Sequence, residues 1–255
     1  MSSSVQPGRV LLVGAGPGPV DLMTVRAMCA VQQAGALLYD ALCSDEAVAL
    51  APPGCIRIQT GKRAGKPSMT QDEINRIMLR LARRGLRVVR LKGGDPSIFG
   101  RVGEESAFLN AHGVTTEVLP GVTAACAAAA QFGFPLTHRG QARRVVFTTA
   151  RVENGVMASD CRLGADPEAT IAVYMGGEAA PDLAKALIAA GRGTSTPVAM
   201  IERAGAADAY LTTTSLGALT AGPITTHGGP VLIVVGEVAA SAQAHASDCF
   251  RERAS

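Results

Sequence analysis

The stretch "VVRLKGGDPSIFGR", residues 88–101, changes character in its middle. Val88, Val89 and Leu91 read as a buried strand, and the chain then delivers Gly93, Gly94, Asp95 and Pro96. Open parallel sheets bind their ligands beyond the carboxyl ends of the strands. Two residues without side chains at such an end leave bare backbone for a close neighbour. Asp95 adds a carboxylate able to accept hydrogen bonds or meet a cation, and Pro96 fixes the exit turn. The same residues also suit a tight strand-to-helix turn capped by Asp95, and the segment alone does not choose between the two.

Working outward, strands and helices alternate. Residues 9–14 read as a strand, 21–33 as a helix closed by Gly35, and 36–40 and 55–59 as strands. Thr70-Gln71-Asp72-Glu73 forms a capping box that opens a helix running to Arg84. A strand at 86–91, a helix at 103–111 and a strand at 115–119 follow. This alternation predicts right-handed crossovers and a mostly parallel sheet. Pro120-Gly121 interrupts it before an alanine-rich helix, 123–131. Strands resume at 144–149, 170–174, 197–202, 210–214 and 231–238, with a helix at 181–190 and a polar loop over 152–168. The reading is an α/β chain with an N-terminal α/β domain over 1–120 and a C-terminal α/β domain over 121–240, whose sheet is mixed. A polar tail, 241–255, completes it.

Composition narrows the classes of function. No window of the 255 residues approaches the roughly 18 consecutive apolar residues of a membrane span. The opening MSSSVQPGR lacks the basic and apolar regions of a signal peptide, so a cytoplasmic protein without a membrane partner is expected. The six cysteines show no CxxC and the four histidines no HxxxH, so reduced thiols, mostly core fillers, and no metal are expected. A net charge of +3 without a basic tract, and no tryptophan, argue against a nucleic-acid partner that stacks bases on aromatic rings. A small anionic ligand suits the balance better.

The first glycine loop, "VLLVGAGPGPVDL", tempts a dinucleotide reading, with Asp40 as the acid after the second strand. The glycines do not comply. Gly14 and Gly16 fit, but the third position is Pro19, and Pro17 and Pro19 have no N–H to offer a pyrophosphate. A third loop, "QTGKRAGKPSMTQDEIN", crowds Lys62, Arg63 and Lys66 before the capped helix. A solvated basic loop accounts for these three cations as well; with Arg90, Lys92, Arg101, Arg139, Arg143 and Arg144 near other predicted strand ends, they also suit a substrate carrying several carboxylates.

Taken in order, "VLLVGAGPG", "LLYDALCS", "GKRAGKPSMTQDEIN", "VVRLKGGDPSIFGR", "GEES", "LPGVTAACAAAA", "FPLTHRG", "VYMG", "TPVAMIE" and "VLIVVGEV" resemble the tetrapyrrole methylases, in particular their uroporphyrinogen-III branch. The resemblance covers nearly the whole chain. It implies a two-domain enzyme, usually a homodimer, with the active site in the interdomain cleft. It implies S-adenosyl-L-methionine as methyl donor, S-adenosyl-L-homocysteine as product, and methylation of uroporphyrinogen III at C2 and C7 to precorrin-2 by way of precorrin-1. Such a step lies in sirohaem, cobalamin or haem d1 biosynthesis. Donor contacts carry over to Pro17, Gly93, Gly94, Asp95, Ile98, Thr123, Ala124, Met175 and Ala204. For catalysis it offers Asp40 as proton acceptor and Lys62 as proton donor. Lys62, Arg63, Arg101 and Glu104 would handle substrate; a base-like role for Arg101 is at odds with a guanidinium pKa far above neutrality.

Four departures touch substrate contacts more than donor binding. Pro19 stands where the family has an acid, Val102 where it has glycine, Ala150-Arg151 where it has Gly-His, and Ala209 where it has glutamine. They leave open a methylase of a later corrin intermediate, such as precorrin-2 at C20, and a catalytically silent binding protein.

Overall fold

Five short strands build the first sheet: β1 (Val10–Gly14), β2 (Ala36–Tyr39), β3 (Ile56–Gln59), β4 (Val88–Lys92) and β5 (Thr116–Leu119). In this computed structural model, which describes residues 8–61, 69–150, 152–153, 156–157, 166–222 and 226–243, all five run parallel in the order β3-β2-β4-β1-β5. Every residue of β1 and β4 is buried, because a central parallel strand is covered on both faces. Leu11, Val13, Leu37, Val89 and Leu91 pack on one face with α1 (Val25–Gln32) and α2 (Asp45–Ala49). Val10, Leu12, Ala36, Leu38 and Val88 pack on the other with α3 (Gln71–Arg83) and α4 (Val102–Ala111).

The capping box is formed as expected. The Thr70 hydroxyl accepts the Glu73 N–H at 3.3 Å, and the Glu73 carboxylate accepts the Thr70 N–H at 2.7 Å. The helix expected over 21–33 is instead a 3-10 turn, Val20–Leu22, followed by α1. Thr24 starts the helix late because its hydroxyl accepts the Ala27 N–H at 3.1 Å. α2, capped by Ser44, was not anticipated; five residues carry too little periodicity to register.

The chain divides after Thr123, and the second unit has its own core. It contains α5 (Ala124–Gln131), β6 (Arg144–Thr149), β7 (Val152–Glu153), β8 (Val156–Met157), β9 (Ala169–Tyr174), α6 (Ala180–Ala189), β10 (Pro197–Glu202), β11 (Tyr210–Ser215), α7 (Leu216–Leu219) and β12 (Val231–Val235). Its sheet, ordered β11-β10-β12-β9-β6, is mixed: β12 is antiparallel to both neighbours, β10 and β11 are antiparallel, and β6 and β9 are parallel. α6 and α7 cover the face bearing Ile171, Val173, Val198, Met200 and Ile233. α5 covers the face bearing Ala172, Ala199, Ile201, Leu232 and Val234.

Two expectations need correcting here. The segment read as loop over 152–168 contains the paired two-residue strands β7 and β8. The strand expected to reach residue 238 stops at Val235, because Gly236 (φ 144°) turns the chain into a 3-10 turn, Glu237–Ser241. Most of the expected tail, from 244 on, lies outside the described residues. Among the described residues no helix is long and apolar enough to cross a membrane.

Candidate functional site

All five strands of the first sheet point their carboxyl ends to one edge, and three of the loops there are knitted by backbone. After β1, Gly16 donates to the Gly94 carbonyl at 3.2 Å and accepts from the Gly94 N–H at 2.7 Å. A side chain on Gly14 would lie 2.6 Å from the Gly121 nitrogen and 2.7 Å from the Gly94 oxygen. One on Gly121 would sit on that same carbonyl. Gly14 and Gly121 thus allow a backbone approach to the Gly94 carbonyl that no side chain would permit, while Gly94 itself is left-handed (φ 69°).

Carboxylates complete the edge. Asp95 Oδ1 accepts the Ser97 N–H at 2.8 Å and the Ser97 hydroxyl, and its Oδ2 accepts the Gly121 N–H at 2.9 Å. Asp95 therefore latches the loop after β4 to the loop after β5. Asp40, at the end of β2, accepts the Gly93 N–H at 3.2 Å, the Leu42 N–H at 3.0 Å and the Cys43 thiol at 3.4 Å. Burial first, and then the Asp40 charge, push the Cys43 thiol up, which keeps it protonated as that donor. A carboxylate has roughly four lone-pair sites, so these three fix its orientation without filling it.

Beyond Asp95 the chain is strained. Phe99 (φ 52°) and Arg101 (φ 56°) both adopt left-handed backbone, which side-chain-bearing residues rarely do and which gathers at functional sites. Ile98, just before them, is half-buried. Arg101 opens α4 and holds Glu104 in a two-pronged pair at 2.8 and 2.7 Å. Donating these hydrogen bonds to Glu104 raises the Arg101 pKa still further, and accepting them lowers the Glu104 pKa. Arg101 is thus an exposed cation held in place by Glu104.

Arg90 and Lys92 depart from the expectation that they face a substrate. Both are about 5% exposed or less, and both pair with the wholly buried Glu105: Arg90 Nε at 3.2 Å, Lys92 Nζ at 3.0 Å. Gln71, from the first turn of α3, adds a hydrogen bond to the same carboxylate at 3.1 Å. Burial first, and then the Arg90 charge, lower the Lys92 pKa against the pull of Glu105. Period-two alternation put Arg90 and Lys92 on one face of β4, but only packing showed that α3 and α4 cover that face. Arg143 and Arg144 likewise pair locally, with Glu168 and Asp166. Lys62 and Arg63 lie outside the described residues.

In the second unit, β9 and β10 flank β12 and end at the same sheet edge, roughly 10 Å apart by strand spacing. Each is followed by a left-handed non-glycine residue, Met175 (φ 56°) and Arg203 (φ 51°). Two of the sequence's candidates, Met175 and Ala204, are therefore at or next to a strained turn. Ala204 is buried and Met175 half-exposed. The Tyr174 hydroxyl accepts the Ala125 N–H at 3.3 Å, tying the start of α5, where Ala124 lies, to the Met175 turn. Glu202 holds the facing loop by accepting the His227 N–H at 2.8 Å and the Gly229 N–H at 2.6 Å. These bonds, that from His227 first, keep its carboxyl below the ordinary value against the opposing effect of burial. Glu105, Glu202 and Gln131 were not singled out in the sequence, because a buried polar side chain leaves no local pattern.

The thiols are less internal than expected. Of the four described cysteines, Cys55 is buried and Cys43 half-buried, while Cys29 and Cys126 are exposed. Among the described residues no three His, Cys, Asp or Glu side chains gather as a metal site would.

Residues 9–220 match the family model for Tetrapyrrole (Corrin/Porphyrin) Methylases. Siroheme synthase 1 of Serratia proteamaculans is 46% identical over 235 residues, covering 91% of this chain and 48% of that protein. The chain spans about half the length of the curated relatives it matches. Among solved structures, the uroporphyrin-III C-methyl transferase of Thermus thermophilus complexed with S-adenyl homocysteine matches with a TM-score of 0.79 at 40% identity, covering 91% of this chain and 98% of that one. A cobalt precorrin-4 methyltransferase matches with a TM-score of 0.78 at 30% identity, covering 91% and 95%. A matched region of this extent, on a parallel sheet followed by a mixed one, places the chain in the tetrapyrrole (corrin/porphyrin) methylase family.

Proposed function

We propose that this chain is an S-adenosyl-L-methionine-dependent C-methyltransferase that methylates uroporphyrinogen III at C2 and C7, giving precorrin-2 by way of precorrin-1. The observation that carries this reading is the likeness, along nearly the whole chain, to a uroporphyrin-III C-methyl transferase holding S-adenyl homocysteine. Its place would be sirohaem, cobalamin or haem d1 biosynthesis, and the reading includes a homodimer in the cytoplasm.

The residues suit the donor. At Gly94 (φ 69°) a side chain would meet nothing nearer than the Thr123 Cα, 4.0 Å away, so that face of the backbone is open. In the first unit the donor contacts would come from Pro17, Gly93, Gly94 and Asp95, whose three hydrogen bonds leave lone pairs over, with Ile98 and Thr123 beside them. In the second unit Ala124, Met175 and Ala204 would take part. When bound, the donor supplies an electrophilic methyl group on a positively charged sulfur.

The chain's contribution is alignment followed by proton management. Holding a pyrrole carbon in line at short range supplies much of the acceleration in such a transfer. Carbon–carbon bond formation leaves a proton to be removed, and Asp40, oriented by three donors, is the proposed acceptor. Lys62 is the proposed proton donor. Arg101, with Arg63 and Glu104, would hold carboxylate arms, a task that its permanent charge and its fork of N–H groups suit.

The test is anaerobic incubation with uroporphyrinogen III and labelled donor, followed by mass analysis. Two methyl groups per macrocycle are expected. Transfer only to precorrin-2 would move the activity to a later corrin step, and donor binding without transfer would make the chain a binding protein.

A further inference from the structure

The turn after β10 is held from within the fold by one side chain that the proposed chemistry does not use. Gln131, the last residue of α5, is 1% exposed. Its amide nitrogen donates to the Ala206 carbonyl at 2.8 Å and its amide oxygen accepts the Gly205 N–H at 2.8 Å. One amide thus satisfies a donor and an acceptor on consecutive residues, as a neighbouring strand would. The turn needs such a hold: Arg203 is left-handed, Gly205 has φ 90°, and its internal bond runs from the Ala206 N–H to the Arg203 carbonyl at 2.9 Å. The helix that carries Gln131 begins at Ala124, and the Tyr174 hydroxyl fixes its first turn through Ala125. Eight residues of α-helix span about 12 Å, so α5 acts as a rigid spacer among the Ala124, Met175 and Ala204 segments.

We infer that Gln131 is a positioning residue for the methyl donor: it holds the Arg203–Ala206 turn at the distance from Ala124 that the donor requires. This rests on the reading that Ala124 and Ala204 contact the donor. Gln131 does not touch the donor; it acts through the backbone of Gly205 and Ala206. Withdrawing the buried amide leaves the Gly205 N–H unsatisfied and the Ala206 carbonyl with the Ala209 N–H alone, at 3.1 Å, and the turn relaxes toward right-handed backbone.

The experiment compares Gln131→Leu with the parent by calorimetric titration of S-adenosylhomocysteine, well below the melting temperature of each, together with steady-state kinetics. The expected result is a dissociation constant raised about tenfold, with a parallel rise in donor KM and an unchanged tetrapyrrole KM. Gln131→Glu, which keeps the acceptor for Gly205 but loses the donor to Ala206, should fall between the two. A folded Gln131→Leu protein with parental donor affinity would overturn the assignment, since a purely structural glutamine would lower Tm alone. Should neither variant fold, amide exchange at Gly205 in the parent decides: slowing on addition of S-adenosylhomocysteine supports the role, and an unchanged rate refutes it. A parent that binds no S-adenosylhomocysteine would bring down the functional reading itself, a result distinct from loss of the Gln131 effect alone.

Discussion

The two units solve the same problem, holding irregular backbone still at a sheet edge, by opposite means. In the first, side chains are removed: Gly14 and Gly121 let the backbone close on the Gly94 carbonyl, and Asp95 latches the loops after β4 and β5. In the second, side chains are inserted: Gln131 reaches from α5 to the turn after Arg203, and Glu202 from β10 to the loop before β12. The difference follows from topology. Parallel strands deliver successive loops to one edge, where they can touch. In the mixed sheet β12 runs against its neighbours, so its start, not another strand's end, lies between Met175 and Arg203, and side chains must bridge to it.

The contrast can be broken at its ionic centre first. Glu105→Gln leaves Arg90 and Lys92 buried without a counter-charge and should cost about 3–5 kcal/mol in urea denaturation. Lys92→Met, which keeps the Arg90–Glu105 pair, should cost clearly less; equal costs would show that Glu105 does not anchor the cluster. Next comes Gly121→Ala, whose methyl would press on the Gly94 carbonyl and should destabilise by about 1–3 kcal/mol. A neutral result would mean that the glycines do not need their close approach.

Asp95→Ala should leave the strands intact but loosen the loops, raising the S-adenosylhomocysteine dissociation constant about tenfold by calorimetry. Unchanged affinity would separate the latch from donor binding. The smallest effect is expected at Glu202→Gln, on the order of 1 kcal/mol near neutrality for weakened hydrogen bonds. Glu202 has its folded pKa below the ordinary 4.5, so its stabilisation is present above that pH. It is lost as the pH falls through the lower folded value, and the melting curves of parent and variant should converge there. Curves that stay parallel into acid would assign the effect to packing.

Regular elements were legible in the sequence wherever a local rule acts. The capping box at Thr70–Glu73 fixed the start of α3, and unbroken apolar runs marked β1 and β4 as central. The start of α1 was misplaced because the cap is Thr24, three residues further on, and the end of β12 because Gly236 turns the chain. Among the site candidates, Gly93, Gly94 and Asp95 were visible as a strand ending in residues that do not belong in a strand. Arg90 and Lys92 were misread as cations for substrate, since their partner Glu105 is more than a dozen positions away in the chain.

The sequence alone determined what each residue can do: where backbone is bare, where φ is restricted, which charges are permanent, and where helices and strands repeat. Only the tertiary structure decided which of these capacities are used inside the fold. It turned Asp95 into a latch between loops, Glu105 into the counter-charge for two buried cations, and Gln131 into a support for a strained turn. The physical reason is distance. Capping and periodicity act over three or four residues, whereas Gln131 and Gly205 are 74 positions apart and meet only when α5 packs on its sheet.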